Sequence, residues 1–237
     1  MPRLRHAAAA LLMAAATAAQ ANLNEGFEAE YVLTYRGFIV GEIRLHWERP
    51  GGERYRYTAR GEPRGLARLV SGADFFERSR GRIVNGRVVT DSYESREGGE
   101  LKERWRIDDE HAQEEVSGKT LPLSGERPLD PLSVQVDGML AFMNGRLQEP
   151  GDEITFTIVD GDELSTYTLH FTGTTTVEAH GTKYGAHRVE RVHRGDRKTR
   201  FWLAPELDYF PVKLEQVSSS GTRLLATLRK PPTGTDN

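Results

Sequence analysis

Phe27-Glu28-Ala29-Glu30-Tyr31-Val32-Leu33-Thr34-Tyr35 is the stretch that decides the fold. Phe27, Ala29, Tyr31, Leu33 and Tyr35 fall on one side of an extended chain; Glu28, Glu30, Thr34 and Arg36 fall on the other. Successive side chains of a strand point to opposite faces, so this pattern predicts a strand with one buried face. The period continues outward. Arg36-Gly37 predicts a turn, and Ile39, Gly41, Ile43, Leu45 and Trp47 predict a second strand. Pro50-Gly51-Gly52 marks the next turn, and Tyr55, Tyr57 and Ala59 a third strand, which makes a meander.

Further strands are predicted over residues 75–84, 87–95, 101–107 and 112–116. Asn85-Gly86 joins the first two, because both residues tolerate positive φ in a tight hairpin. After Pro150-Gly151, two strands flank an Asp160-Gly161 turn, with Ile154, Phe156 and Ile158 on one face of the first and Tyr167, Leu169 and Phe171 on one face of the second. Residues 174–180, 186–193, 199–203, 211–218 and 223–228 complete the set. Two segments break the period. Pro63 with Leu66, Leu69 and Val70 predicts a short helix over about 64–71. Asp130 as N-cap and Pro131 in the first turn predict an amphipathic helix over about 131–143. Its apolar stripe is Leu132, Val136, Met139, Leu140 and Met143; Ser133, Gln135, Asp137 and Ala141 lie opposite, and Asn144-Gly145 ends it.

The fold expected is mainly β: a single large curled antiparallel sheet, a half-open β-barrel, of about 11 strands with those two helices. Residues 22–230 form one β-rich domain, and residues 231–237, after Pro231-Pro232, form a disordered tail.

The N-terminus reads as an export signal. Arg3 and Arg5 precede an alanine-rich apolar run over residues 7–19, and Ala19-Gln20-Ala21 has the small-x-small form of a cleavage site. Residues 1–21 are therefore expected to be a signal peptide, cleaved near Ala21-Asn22, and the mature chain to be periplasmic. Without them Lys+Arg falls from 32 to 30 while Asp+Glu stays at 35, so the formal charge moves from -3 to -5. That balance argues against nucleic acid as a partner. The densest basic stretch, residues 188–200, is interrupted by Glu190 and Asp196 and reads as a solvated strand face or a contact for an acidic partner or lipid headgroup.

The 237 residues contain no cysteine. This excludes disulfides, thiolate metal sites, cysteine nucleophiles and a lipidated N-terminal cysteine. Gly118-Lys119-Thr120 resembles the end of a phosphate-binding loop, but Gln113 stands where its first glycine belongs. His187 and His193 share a strand face about 20 Å apart, too far for one ion. Asp108-Asp109-Glu110 and Asp160-Gly161-Asp162-Glu163 read as turns, where aspartate bonds the local backbone. Ser133 reads as a solvated helix hydroxyl. No catalytic residue, metal or cofactor is expected.

Three segments carry a resemblance: Phe27 to Leu33 with Gly41; Asp130-Pro131-Leu132-Ser133; and Phe201-Trp202-Leu203-Ala204-Pro205 followed by Asp208-Tyr209-Phe210-Pro211-Val212-Lys213-Leu214. Together they resemble a family of uncharacterised secreted Gram-negative proteins known only as a domain of unknown function. In element order that layout resembles the periplasmic lipoprotein carrier and its outer-membrane receptor. The resemblance implies a partial barrel closed by helices, and it suggests acyl chains held in the concavity.

The reading is a non-catalytic periplasmic binding or carrier protein, not membrane-spanning. It would hold a hydrophobic or lipid-like ligand in the concave face of the sheet. The candidate apolar lining is Tyr31, Leu33, Tyr35, Ile43, Leu45, Trp47, Trp105, Met139, Met143 and Trp202. Two alternatives stay open: an envelope assembly protein that holds a protein partner without a small ligand, and a hydrolase acting on envelope glycan.

Overall fold

The computed structural model describes residues 23–65, 73–192 and 197–234. The expected signal peptide, most of the expected short helix and His193 lie outside the described residues. The chain begins with eight strands: β1 (Gly26–Tyr35), β2 (Phe38–Glu48), β3 (Arg54–Pro63), β4 (Phe75–Val84), β5 (Arg87–Glu97), β6 (Glu100–Ile107), β7 (His111–Glu114) and β8 (Lys119–Pro122). One helix follows, α1 (Ser133–Met143). Then come β9 (Glu153–Asp160), β10 (Glu163–Ala179), β11 (Thr182–Val192), β12 (Lys198–Ala204), β13 (Phe210–Val217), β14 (Arg223–Leu228) and the short β15 (Thr233–Gly234).

Among the described residues all 15 strands join one antiparallel sheet, in the order β8-β7-β6-β5-β4-β3-β2-β1-β14-β13-β12-β11-β10-β9, with β15 on β1. That is more strands than the period predicted. The added ones are short: β8 and β15 have four and two residues, whereas the strands expected over 167–171 and 174–180 are one continuous strand, β10. The tail also departs from expectation. Thr233 and Gly234 pair with Glu28 and Phe27, because the first residues of β1 extend beyond the end of β14 and leave backbone groups to be satisfied.

The sheet is two meanders joined at one non-sequential pair, β1 with β14. It does not close. Its terminal strands are β8 and β9, and Lys119 of β8 reaches Asp162 in the β9–β10 turn at 3.2 Å. Register breaks at Leu33/Thr34, Arg80/Gly81, Ser95/Arg96, Phe171/Gly173 and Trp202/Leu203 bend the strands and tighten the curl. At Gly81 the strands approach so closely that a Cβ would stand 2.1 Å from the Val89 carbonyl oxygen.

The inner face holds the core. Trp47 stacks on Tyr55 with centroids 4.9 Å apart, and Phe27 meets Phe210 edge-on at 5.1 Å. The indole N–H of Trp47 donates to the Leu23 carbonyl at 3.0 Å. Here α1 differs from its sequence reading. Ser133, Asp137 and Ala141, expected on a solvated face, are buried along with Val134, Val136, Met139 and Phe142, whereas Met143 is 44% exposed. A helix enclosed by a curled sheet buries its whole circumference, so an amphipathic stripe misassigns its polar residues.

Those polar residues are the anchor. Asp130 is fully buried. Its Oδ1 accepts the backbone N–H of Leu132 and Ser133 at 2.9 and 2.8 Å, as a helix cap does. The Ser133 hydroxyl returns a bond by accepting the Asp130 N–H at 3.0 Å. Oδ2 accepts the Ser79 hydroxyl of β4 at 2.6 Å and the Thr90 hydroxyl of β5 at 3.3 Å, and Tyr55 of β3 bonds Ser79 at 2.9 Å. Burial pushes the Asp130 carboxyl above its usual range, and the hydroxyl and amide donors oppose that shift.

Asp130→Ala removes the cap and strands two buried hydroxyls. The expected loss is about 3 kcal/mol in urea unfolding at an unchanged slope. A loss below about 0.5 kcal/mol would show that the network does not hold the helix.

Candidate functional site

The two sides of α1 meet the sheet by different chemistry. On one side the bonds are polar and go to β4, β5 and their hairpin. Asp137 accepts the Val88 N–H at 2.7 Å, Ser133 bonds Thr90 at 3.1 Å, and the Asn144 amide donates to the Gly86 carbonyl at 2.9 Å. Arg146 covers Asp137 with an ion pair at 2.9 Å. On the other side Val134, Gln135 and Gly138 face Leu169 of β10, Val189 of β11, and Phe201 and Leu203 of β12 across a seam that is apolar apart from Gln135. The seam holds a gap of about 30 Å³, far below the size of an ordinary ligand pocket. Gly138 keeps it that narrow, since a Cβ there would stand 3.3 Å from Leu169 Cδ1.

The expected lining residues divide among several places. Tyr31, Leu45, Trp47, Trp105 and Met139 are buried in the continuous core and pack on one another, and Leu33 and Ile43 are partly buried against it. Tyr35 is half-buried, with the Arg36 guanidinium 5.3 Å from its ring centre. Met143 points to solvent from the last helical turn. Trp202 lies on the opposite face of β12 from Phe201, with Lys213 5.2 Å from its ring. Strand parity therefore gives the seam to Phe201 and Leu203, not Trp202. The seam's members Val134, Gly138, Leu169, Val189 and Leu203 were absent from the expected lining. The available signal was the alternation of Phe201 and Leu203 in step with Thr199.

At the C-terminal end of α1, four rings close the seam. Phe142 stacks on Tyr209 at 5.1 Å and meets Phe171 edge-on at 5.2 Å; His187 stacks on Phe171 at 4.8 Å. Tyr209 reaches Phe142 because Asp208 and Tyr209 take φ of 52° and 60° after the 3-10 turn Pro205–Leu207. Two consecutive non-glycine residues in that region cost on the order of 1–2 kcal/mol each. His187 Nδ1 is buried without a hydrogen-bond partner, and burial lowers the imidazole's pKa from 6.5.

The larger hollows have walls of mixed polar and apolar character. One of about 420 Å³ lies between β5 and β9, where Arg87 pairs with Glu126 and Arg127 with Asp91 and Asp109. Asp108 accepts the N–H groups of Glu110 and His111, which lower its carboxyl pKa, so the expected turn holds. In the basic stretch, Arg188 and Arg200 share Glu190 and Arg200 also takes Glu215, while the Arg191 guanidinium lies 4.1 Å from the Tyr167 ring centre. Ser133, expected to be solvated, is buried in the Asp130 network.

An open, barrel-like antiparallel sheet wrapped on one buried helix is the class these features define. The chain belongs to the family described as "Protein of unknown function (DUF3108)", whose model matches residues 30–229. No curated protein matches it. The fold is similar to that of a beta-barrel-like protein of domain of unknown function DUF1849 from Brucella abortus. The two are 12% identical, with a TM-score of 0.56 over 90% of this chain and 98% of that one. A Bacteroides fragilis protein described as exported, with a YmcC-like fold, is also 12% identical. Its TM-score is 0.41, over 87% of this chain and 95% of that one.

His187→Phe tests the ring cluster. The folded state resists protonating His187, so wild-type stability is full above about pH 6.5 and is lost as pH falls below it. The variant should lack that loss, measured as urea midpoints from pH 8 to pH 5. Parallel midpoints for the two proteins would contradict the assignment.

Proposed function

We propose that this protein is a non-catalytic binding protein of the bacterial envelope that takes an apolar, lipid-like chain into the seam between α1 and β10–β12. The observation that carries this reading is the unequal attachment of α1. Hydrogen bonds fix the helix to β4 and β5, while the helix side that faces β10, β11 and β12 is apolar apart from Gln135, whose amide bonds the Pro131 carbonyl and not those strands. Separating two apolar surfaces exposes them to water, and an acyl chain between them restores the contact. Parting the polar side would strand buried hydrogen-bonding groups. The seam is therefore the side that opens.

The filled concave face bears on how binding works. Ligand sites commonly exceed about 300 Å³, and the gap is about 30 Å³. The ligand must displace α1 from β10–β12, with the ring cluster of Phe142, Phe171, His187 and Tyr209 parting as it enters. Among the described residues no helix is long and apolar enough to cross a membrane. The N-terminal Arg3, Arg5 and alanine run support delivery to the periplasm, where lipid-like cargo needs a protein to shield it.

Periplasm-purified protein, studied by native mass spectrometry with lipid extraction, tests the reading. A co-purified acyl-containing species is expected. Gly138→Leu fills the seam and should abolish capture, while Leu169→Ala widens it and should raise capture despite a stability loss of about 2–5 kcal/mol. Wild-type protein that is consistently empty, or capture unaffected by Gly138→Leu in folded protein, would overturn it.

A further inference from the structure

On the face of the sheet opposite α1, register lines up like charges. Arg56 of β3 stands directly opposite Arg80 of β4, Arg80 opposite Ser92 of β5, and Ser92 opposite Arg106 of β6. The adjacent row is Thr58, Arg78, Glu94 and Arg104. Directly opposed like charges destabilise a sheet, so such a row requires compensation.

Most of it is supplied by carboxylates. Arg56 pairs with Glu48 at 3.2 Å, Arg78 with Glu94 at 2.7 Å, and Arg106 with Glu115. The acids nearby are fully used. Glu94 is shared by Arg78, Arg96 and Arg104; Asp91 by Arg82 and Arg127; and Asp108 holds backbone N–H groups. Arg80 is left over. Among the described residues it makes no hydrogen bond and no ion pair. Its nearest charged neighbours include Arg78 and Arg56, whose repulsion adds to partial burial in lowering its pKa, with Glu94 and Glu48 opposing. The Ser92 hydroxyl beside it is likewise without a described partner. A trough of about 660 Å³ lies over these groups; Arg78, Arg80, Ser92, Arg104 and Arg106 line it together with the already engaged carboxylates Asp91, Glu94 and Asp108.

We propose that this trough is a binding site for a phosphate-type oxyanion, with the Arg80 guanidinium as its fork and Ser92 and Arg106 flanking. A guanidinium presents paired N–H donors that match two oxygens of one phosphate. One carboxylate would satisfy Arg80 alone. A dianion answers Arg80 and relieves the repulsion across the row. The trough has room for the group that the phosphate esterifies. This site stands on the opposite face from the seam and does not depend on the function proposed above.

Calorimetric titration of the mature protein with pyrophosphate, and co-sedimentation with phosphatidylglycerol or phosphatidylcholine vesicles, test it. Arg80→Gln is expected to weaken binding by about tenfold or more, and Arg80→Lys, which keeps charge without the fork, by less. Thermal melting of each free variant checks that an exposed substitution leaves the fold intact. Arg80-dependent binding of pyrophosphate alone assigns a soluble phosphate ligand. Arg80-dependent binding of phosphatidylglycerol but not phosphatidylcholine vesicles assigns a lipid headgroup. Wild-type protein that binds neither probe, or an Arg80→Gln variant that binds as well as wild type, overturns the proposal.

Discussion

The buried carboxylate of Asp130 is the interaction on which the rest of the structure depends. A curled sheet needs something inside it, and a helix surrounded by sheet has N-terminal amide groups that water cannot reach. Asp130 meets both needs. One oxygen satisfies the first amides of α1, and the other accepts hydroxyls from β4 and β5. The orientation of the helix within the sheet follows. Asp137 and Asn144 then continue the same polar attachment toward the β4–β5 hairpin. With no cysteine in the chain, covalent cross-links share none of this task.

That attachment also divides the molecule mechanically. The first meander and α1 are bound by directional bonds, which break at a cost and at defined geometry. The second meander meets α1 through side-chain contacts that slide and reseal. Local opening should follow the weaker boundary. The ring cluster around Phe142 limits that opening at one end of the helix, where strained backbone at Asp208 and Tyr209 presses an aromatic ring into place.

Much of the fold was legible because strand periodicity is a local property. Alternation from Phe27 to Tyr35 identified β1, and Asn85-Gly86 identified the β4–β5 turn. The Asp130-Pro131 helix start was equally plain. The faces of the helix were not legible, because an amphipathic stripe assumes one buried side and α1 has none exposed along most of its length. The inward polar residues Ser79 and Thr90 interrupt the apolar period, and only tertiary pairing shows that they answer Asp130. The candidate lining differs from the seam partly through parity: Trp202 is large and apolar, yet one residue's shift puts it on the other face from Phe201. Arg80 was illegible because its isolation depends on which carboxylates its cross-strand neighbours have already taken.

The pairing of β1 with β14 has a kinetic meaning. Tyr31 lies opposite Leu228, about 200 residues away along the chain, so the centre of the sheet joins the two ends of the domain. Each meander can assemble from local hairpins, but neither can complete its inner edge until the last strand has been delivered. Until then β1 and β13 present unpaired backbone to any neighbouring chain. A chain that emerges N-terminus first would carry one such open edge throughout its synthesis or translocation. The topology therefore makes this a late-committing fold, whose exposure to misassociation ends only when its C-terminal strands arrive.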